Sequence, residues 1–378
     1  MTIYLDHAAA TPVDKKVLTV MMPFYTEHYY NPSALYKGAR VVKSALDDAR
    51  SDVARLIGAK PSEIIFTAGG TESANLAIKG VMDLHPDSNC IVSSIEHEAV
   101  LKPAKRYNHT VAPVLKTGLL DMTAFEALID EQTVLVSIML ANNEIGTVQQ
   151  LKTVASLVKS IREERQKDNN TLPLYLHTDA CQAPLYLDCN VARSGVDMMT
   201  LNGGKIHGPK QSGILYKKSS VILQPQIEGG GQEFGVRSGT ENIASAVGFA
   251  KALSLSESHK SERVERVSKL RDYFIEQLEL QFNVVVTGHR QKRLANNVHV
   301  SFDNVDNERV LFSLDDSGIA AAAGSACQAS SDEPSHVIKA IGESESYATS
   351  SIRFSLGRDT TKKEIDYTLK ALTSALTA

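Results

Sequence analysis

The clearest folding signal in this chain is the stretch IIFTAGGTESANLAIKG (residues 64–80). Its apolar start predicts a strand, its paired glycines predict a turn, and the remainder predicts a helix that begins near Thr71. Glu72 would lie in the first helical turn, where a negative charge complements the helix dipole. Gly70 and the free N–H groups of that turn could hold a phosphate, although glycines between a strand and a helix often serve the turn alone.

The same alternation of apolar runs and helical stretches extends from about residue 50 to residue 220. Apolar residues recur at a spacing near 3.6 between the runs, which indicates crossover helices. Strands that alternate with helices are typical of an α/β fold with a mostly parallel sheet. The candidate strands are EIIFTA (63–68), NCIVSS (89–94), TVLVSIML (133–140), LYLHTD (174–179), DMMTLN (197–202) and SGILYK (212–217).

The last third of the chain has a different pattern. Residues 256–280 predict one highly charged helix with an apolar stripe, and strands follow at 283–288 and 296–302. A closing helix is expected at 362–376. We therefore expect a large α/β domain at residues 13–250 and a smaller α+β domain formed by residues 1–12 and 251–378.

Composition limits the class of protein. The chain has 378 residues, of which 43% are hydrophobic and 22% charged, as in a soluble globular protein of two domains. A formal charge of −4 gives no reason to expect a direct nucleic-acid or membrane partner. The N-terminus lacks the pattern of a signal peptide, and we expect a cytoplasmic protein.

The four cysteines do not form a CxxC pair, so we expect neither a zinc site nor any other metal, and each should be a free thiol. Cys90, Cys181 and Cys189 stand among apolar residues and read as buried structural thiols. Cys327 differs, because residues 320–331 contain only Ala, Gly, Ser, Gln and Cys. Such a segment buries little apolar surface, and we expect it to be mobile.

A lysine and an aspartate follow two neighbouring candidate strands. Asp179 ends the strand in HTDACQ (177–182), and Lys205 lies in LNGGKIHGPK (201–210). Taken singly, the aspartate could cap a helix and the lysine could be a solvated surface group. Together at the carboxyl ends of strands, they suggest a Schiff-base lysine and a carboxylate that pairs with a protonated pyridine nitrogen.

Eight motifs in order make the chain resemble the cysteine desulfurases, pyridoxal-phosphate (PLP) enzymes of the aminotransferase class V group. The resemblance is to the branch that serves iron–sulfur cluster assembly and nitrogenase maturation, and it implies the type I fold of PLP-dependent transferases. The motifs are GGTESANLAIKG, SIEHEAVL, NNEIGTVQ, HTDACQ, GGKIHGPK, GGGQEFGVRSGTEN, GSACQASSDEPSHV and SIRFSLGR.

The resemblance implies a role for each residue that matches these motifs. Lys205 would carry PLP and move protons, Asp179 would keep the ring nitrogen protonated, and His97 would stack on the ring as an acid–base partner. Arg353 would pair with the substrate carboxylate, and Asn143 would contact both cofactor and substrate. The implied cofactor-binding residues are Gly70, Thr71, His97, Asn143, Asp179, Gln182, Asn202, Lys205 and Thr240.

The resemblance also implies the reaction and the partners. L-Cysteine would give L-alanine, and its sulfur would pass to Cys327 as a persulfide, for delivery to an acceptor protein in iron–sulfur cluster assembly or tRNA thiolation. The protein would be a homodimer in which Thr240 completes the phosphate site of the opposite subunit. The longer loop around Cys327 matches the iron–sulfur assembly branch.

The chain departs from the family pattern at several positions, two of which lie close to Lys205. Gly204 stands where the family usually has a histidine, and Asn202 stands where it has a serine. These two changes leave open a PLP-binding homologue of low activity that acts through a partner. A selenocysteine lyase and a small-substrate aminotransferase are further alternatives. An aminotransferase has no use for a mobile thiol such as Cys327, which favours the desulfurase.

Overall fold

The structure is a computed structural model that describes residues 2–302, 305–324 and 335–377. Cys327 falls outside these ranges. The strands are β1 (Ile3–Tyr4), β2 (Ile64–Thr67), β3 (Asn89–Ser93), β4 (His109–Ala112), β5 (Thr133–Ser137), β6 (Tyr175–Asp179), β7 (Met198–Asn202), β8 (Gly213–Lys217), β9 (Val284–Val286), β10 (Asn297–Phe302), β11 (Ile319–Ala320) and β12 (Ser351–Ser355).

Helices connect most of these strands. They are α1 (Lys15–Met21), α2 (Pro23–Thr26), α3 (Lys37–Ile57), α4 (Gly70–Met82), α5 (Glu98–Ala104), α6 (Met122–Leu128), α7 (Leu151–Lys167), α8 (Val191–Ser194), α9 (Ile243–Glu257), α10 (Lys260–Gln281), α11 (Asn307–Asp316), α12 (His336–Ala340), α13 (Glu345–Thr349) and α14 (Lys362–Thr377). Short 3-10 helices occur at Pro61–Glu63, Gly203–Lys205 and Glu233–Gly235.

The main sheet has seven strands in the order β2-β8-β7-β6-β5-β3-β4. Strands β3 to β7 pair in parallel, whereas β8 runs antiparallel to both β7 and β2. The expected α/β fold with a mostly parallel sheet is confirmed. The strand β4 was missed because it lies at the sheet edge, where Val111 is exposed and the two preceding residues, His109 and Thr110, are polar.

Helices cover both faces of this sheet, so it has two apolar cores. Along β2, Ile64 contributes to one core and Ile65 to the other, and Ile91 and Val92 of β3 alternate in the same way. Successive strand residues point to opposite faces, which explains the split. The strand interiors therefore read as continuous apolar runs, as the sequence pattern indicated.

A smaller antiparallel sheet, in the order β12-β10-β9, lies in the C-terminal part of the chain, and α10 packs against it and against α14. The charged helix expected at 256–280 is in fact two helices. Helix α9 extends to Glu257, and the left-handed backbone of His259 (φ 55°) separates it from α10. The N-terminal β1 pairs in parallel with β11. The domain division at residue 250 stays a prediction.

Within the described ranges, no helix combines the length and apolar character that a membrane span requires.

Candidate active site

Nine of the predicted site residues meet at the carboxyl edge of the central parallel strands. A pocket of about 120 Å³ lies there, beside the N-terminus of α4. Ala8, Ala9, Ala99, Met139, Ala141 and Cys181 also line it, and the sequence analysis had not assigned them to the site. The predicted residues that line it are Gly70, Thr71, His97, Asn143, Asp179, Gln182, Asn202, Lys205 and Arg353.

The Gly70 end of the pocket is closely packed. A Cβ atom on Gly70 would lie 2.7 Å from the Cys181 sulfur, so only glycine fits there without a shift. Asn202 Oδ1 accepts the Gly204 N–H at 3.0 Å, which identifies Nδ2 as the donor side of that amide. This Nδ2 lies 3.5 Å from the position of the same Cβ. A helix N-terminus and an amide donor thus face one small space, as phosphate binding requires.

Lys205 is the last residue of the short helix that follows β7. Its Nζ donates hydrogen bonds to the backbone oxygens of Ala8 at 2.9 Å and Ala9 at 2.5 Å. Gln182 Nε2 also donates to Ala8, at 3.0 Å. The N-terminal DHAAATP motif therefore forms one wall of the pocket and supplies carbonyl acceptors for the lysine.

Asp179 ends β6, and its Oδ1 accepts the Cys181 backbone N–H at 2.9 Å. The side chain therefore caps a turn after the strand rather than a helix.

The structure also shows how much space surrounds Gly204. At position 204, a Cβ atom would approach no described atom closer than Asn202 Oδ1 at 3.4 Å. Packing therefore leaves room for a side chain there, and the glycine is not forced by the backbone.

Strained backbone follows the lysine. Neither His207 (φ 61°) nor Gln211 (φ 57°) is glycine, yet both have left-handed backbone angles, which L-residues adopt at a cost. His207 Nδ1 lies 3.0 Å from the backbone oxygen of Pro12, within the N-terminal wall. Strain that the surrounding structure holds in place is common near functional sites.

His97 caps the N-terminus of α5 with its own ring. Its Nδ1 accepts the Ala99 N–H at 3.0 Å, so the neutral ring carries its proton on Nε2. Burial lowers the pKa of His97, the nearby Asp179 raises it, and Lys205 lowers it, with a net decrease. The ring is therefore neutral at pH 7 and carries its single N–H on Nε2.

Glu96, next to His97, is fully buried and missing from the predicted site. Its Oε1 accepts the Ser93 hydroxyl at 2.5 Å and the Met139 N–H at 2.7 Å, and its Oε2 has no partner within the described ranges. Burial raises the pKa of Glu96 to about 8, with a further contribution from Asp179. Glu96 therefore keeps its proton at pH 7, in contact with Met139, which lines the pocket.

Arg353, on β12, is only 1% exposed. Its Nη2 pairs with Asp6 Oδ1 at 2.7 Å, and its Nη1 donates to the Asn143 backbone oxygen at 2.9 Å. Its Nε has no hydrogen-bond partner among the described residues. The sequence analysis did not single out Asp6, because nothing local connects it to an arginine 347 positions away.

The thiols divide into two groups. Cys90 and Cys189 are buried, as predicted, and burial raises the pKa of each to about 12. Cys181 is only partly buried and lines the pocket, so the prediction that it is a buried thiol is wrong. The residues next to it in the sequence did not show which way its side chain points. Burial also raises the pKa of Cys181 well above its ordinary value, so it stays a neutral thiol.

Cys327 lies outside the described residues, but the chain on either side of it is described. Ser335 donates its hydroxyl to Glu144 Oε2 at 2.6 Å. A Cβ atom on Gly324 would lie 3.2 Å from the same oxygen and 3.9 Å from the Ser335 Cβ. Both flanks of residues 325–334 therefore meet at Glu144, next to Asn143 of the pocket.

Thr240 is not among the residues that line this pocket. It lies in a neighbouring cavity of about 200 Å³, together with Thr67 and Arg237. A second groove, also near 200 Å³, joins Thr240 to the aromatic residues Tyr29 and Tyr30.

A buried ion pair anchors the turn that leads to Thr240. Glu233 accepts two hydrogen bonds from Arg50, each 2.7 Å long, and one from the Phe66 N–H at 2.8 Å. The Arg50 guanidinium lies 5.0 Å from the ring centres of both Phe66 and Phe234. The side chains of the pair are 7% and 3% exposed.

Comparisons with known proteins agree with the geometry. The sequence matches the family "Aminotransferase class-V" over residues 3–368. It is 40% identical to "Cysteine desulfurase IscS" of Dictyoglomus turgidum over 98% of this chain and 93% of that protein. The protein of the same name from Methanosarcina thermophila is also 40% identical, over 98% and 91%.

Solved structures lead to the same family. A "NIFS-LIKE PROTEIN" superimposes with a TM-score of 0.90 at 33% identity, over 100% of both chains. The structure titled "SspA in complex with cysteine" superimposes with a TM-score of 0.80 at 32% identity, over 95% of this chain and 100% of that one. The chain therefore belongs to the aminotransferase class-V family, in the group of its cysteine desulfurases.

Proposed function

We propose that this protein is a PLP-dependent cysteine desulfurase. The observation that carries the proposal is one pocket that contains Lys205, Asp179, His97 and Arg353. L-Cysteine and the Cys327 thiol would give L-alanine and a Cys327 persulfide. The Cβ–S bond of the substrate breaks, a bond between its sulfur and that of Cys327 forms, and a proton takes the place of sulfur on Cβ.

The residues of the pocket fit PLP. Gly70, Thr71 and Asn202 would hold the phosphate, because a helix N-terminus and an amide donor face the space that glycine leaves open. Lys205 would carry the cofactor covalently, and Asp179 would keep its ring nitrogen protonated. When bound, PLP supplies an electron sink for bond cleavage next to the amino group of the substrate.

The remaining groups would orient the ligand and move protons. The neutral His97 ring would stack on the cofactor and donate its Nε2 proton. Gln182 and Asn143 would hydrogen-bond the hydroxyl side of the ring. Lys205 would carry protons to and from the carbons of the substrate once it leaves the Ala8 and Ala9 carbonyls.

Cys327 is proposed as the sulfur acceptor. The described thiols Cys90, Cys181 and Cys189 all have raised pKa values, and a neutral thiol is a poor nucleophile. Cys181 lies in the pocket and still lacks thiolate character. The composition around Cys327 instead favours a solvated thiol that can deliver sulfur to an acceptor protein.

A homodimer is proposed in which Thr240 contributes to the phosphate site of the partner. Supporting this, Thr240 shares a groove with Tyr29 and Tyr30, whose rings stack with centres 4.6 Å apart. Tyr29 is 68% exposed and Leu35 is 89% exposed, and a second copy would cover such a surface. A cytoplasmic location and an acceptor protein of the scaffold or tRNA-thiolation type stay predictions.

The test compares Cys327→Ala with Cys189→Ala as the matched control. Both variants should bind PLP with unchanged absorbance, and borohydride reduction should fix the cofactor on Lys205. With L-cysteine, only Cys327→Ala should lose the protein persulfide, and its alanine release should fall by orders of magnitude.

A persulfide on another cysteine at an undiminished rate would refute the role of Cys327. A wild-type protein that forms a keto acid from L-alanine, and no alanine from L-cysteine, would indicate an aminotransferase instead.

A further inference from the structure

Asp6 brings a negative charge into the site that would bind the substrate carboxylate. Its Oδ1 lies 2.7 Å from Arg353 Nη2, and its side chain is 16% exposed against 1% for the arginine. The contact joins one nitrogen to one oxygen, and Asn143 accepts from the other terminal nitrogen. Each terminal nitrogen of the guanidinium thus donates to one acceptor, whereas its Nε has no acceptor among the described residues.

The backbone around Asp6 is fixed. Asp6 forms a parallel bridge with Ser355 of β12, and the Ala8 N–H donates to the Ser355 hydroxyl at 2.9 Å. Ser355 belongs to the same strand as Arg353, so β12 positions both Asp6 and Arg353. The segment continues into Ala8 and Ala9, whose oxygens accept from Lys205. The backbone of Asp6 is therefore held beside the strand that carries Arg353.

We propose that Asp6 is a positioning residue that orients Arg353 and lowers its affinity for the carboxylate of substrate and product. The inference rests on the proposed function, because it takes Arg353 as the carboxylate site. A bound carboxylate would approach a guanidinium whose charge Asp6 already balances, and the two carboxylates would repel each other where water is largely excluded. The pocket would then bind amino acids more weakly than a lone arginine would allow, which favours release of the alanine product.

The test separates the charge of Asp6 from its hydrogen bond. Asp6→Asn keeps an acceptor oxygen for Arg353 and removes the negative charge. Calorimetric titration of the PLP-loaded protein with L-alanine, which contains no sulfur to transfer, should show a dissociation constant lower by about tenfold. The dissociation constant for ethylamine, which lacks the carboxylate, should differ between the two proteins by less than about twofold. Asp6→Ser, also neutral, should shift alanine binding in the same direction if Asp6→Asn does not fold.

Three results would overturn the inference. In the first, Asp6→Asn binds alanine no more tightly than the wild type does. In the second, Asp6→Asn tightens the binding of ethylamine as much as the binding of alanine. Arg353→Gln could also retain the wild-type preference for alanine over ethylamine, which would place the carboxylate elsewhere. Alanine formation from L-cysteine by the wild type is measured separately, so a failure of the desulfurase proposal is distinguishable from each of these.

Discussion

Glu233→Gln should destabilise the fold strongly, although it changes only one atom. The side chains of Arg50 and Glu233 are 7% and 3% exposed and share two hydrogen bonds of 2.7 Å. The glutamine would leave the Arg50 charge buried between Phe66 and Phe234 and would turn an amide N–H₂ group toward the guanidinium. Loss of one partner of a buried pair costs about 3–5 kcal/mol.

The matched control is Asp47→Asn, because Asp47 pairs with Lys43 on the surface, with side chains 52% and 50% exposed. An exposed pair contributes about 0.2–1 kcal/mol. Urea unfolding of both variants, at one protein concentration and with saturating PLP, gives the difference in the free energy of unfolding. If Glu233→Gln costs no more than Asp47→Asn, the reasoning from burial is wrong. A second arm replaces both members, Arg50→Met with Glu233→Leu, and should recover most of the loss.

Three further predictions concern the surroundings of the pocket. Glu96→Gln should gain stability relative to the wild type as the pH rises from 5 to 8. The folded state keeps the Glu96 proton up to about pH 8, whereas the unfolded chain loses it near pH 4.3. The free energy of unfolding of the wild type therefore falls by up to about 1.4 kcal/mol per pH unit in that window. A difference between the two proteins that does not change with pH would contradict the buried, protonated carboxyl. Gly70→Ala should weaken PLP binding by the apoprotein, since its Cβ would lie 2.7 Å from the Cys181 sulfur. Adding Cys181→Ala should restore part of the affinity for PLP. If the affinity does not recover, the sulfur is not the obstacle. Gln211→Gly should raise the free energy of unfolding by up to about 1 kcal/mol because φ is 57°, whereas Ser258→Gly, at φ −65°, should lower it.

The sequence was a good guide to the main sheet because its strands are buried on both faces. The central strands β3 and β5 are buried along their whole length, so their apolar runs are unmistakable. The edge strand β4 has no such run, and its polar residues concealed it. The break at His259 was also invisible, because the charged pattern continues across it and only the backbone angle reveals the turn.

The candidate site was predictable where each motif carries its own residue, as with Lys205, Asp179 and His97. It was not predictable where a contact joins distant parts of the chain. The Ala8 carbonyl accepts a hydrogen bond from Lys205 although the two residues are 197 positions apart in the sequence. Asp6 pairs with Arg353, which is 347 positions away. No local pattern encodes such pairs. The orientation of Cys181 was missed for a related reason, since neighbours in sequence do not determine which side of a turn a side chain takes.

Gly324 and Ser335 both lie at Glu144, so the described chain stops before residue 325 and resumes at residue 335 in one place, next to Asn143 of the pocket. Because these two anchor points lie together, a longer connection between them should add mainly the entropy of closing a loop. Doubling a loop costs about 0.6 kcal/mol, far less than any disturbance of the sheet. Insertions between Gly324 and Ser335 should therefore be tolerated while the pocket keeps its shape.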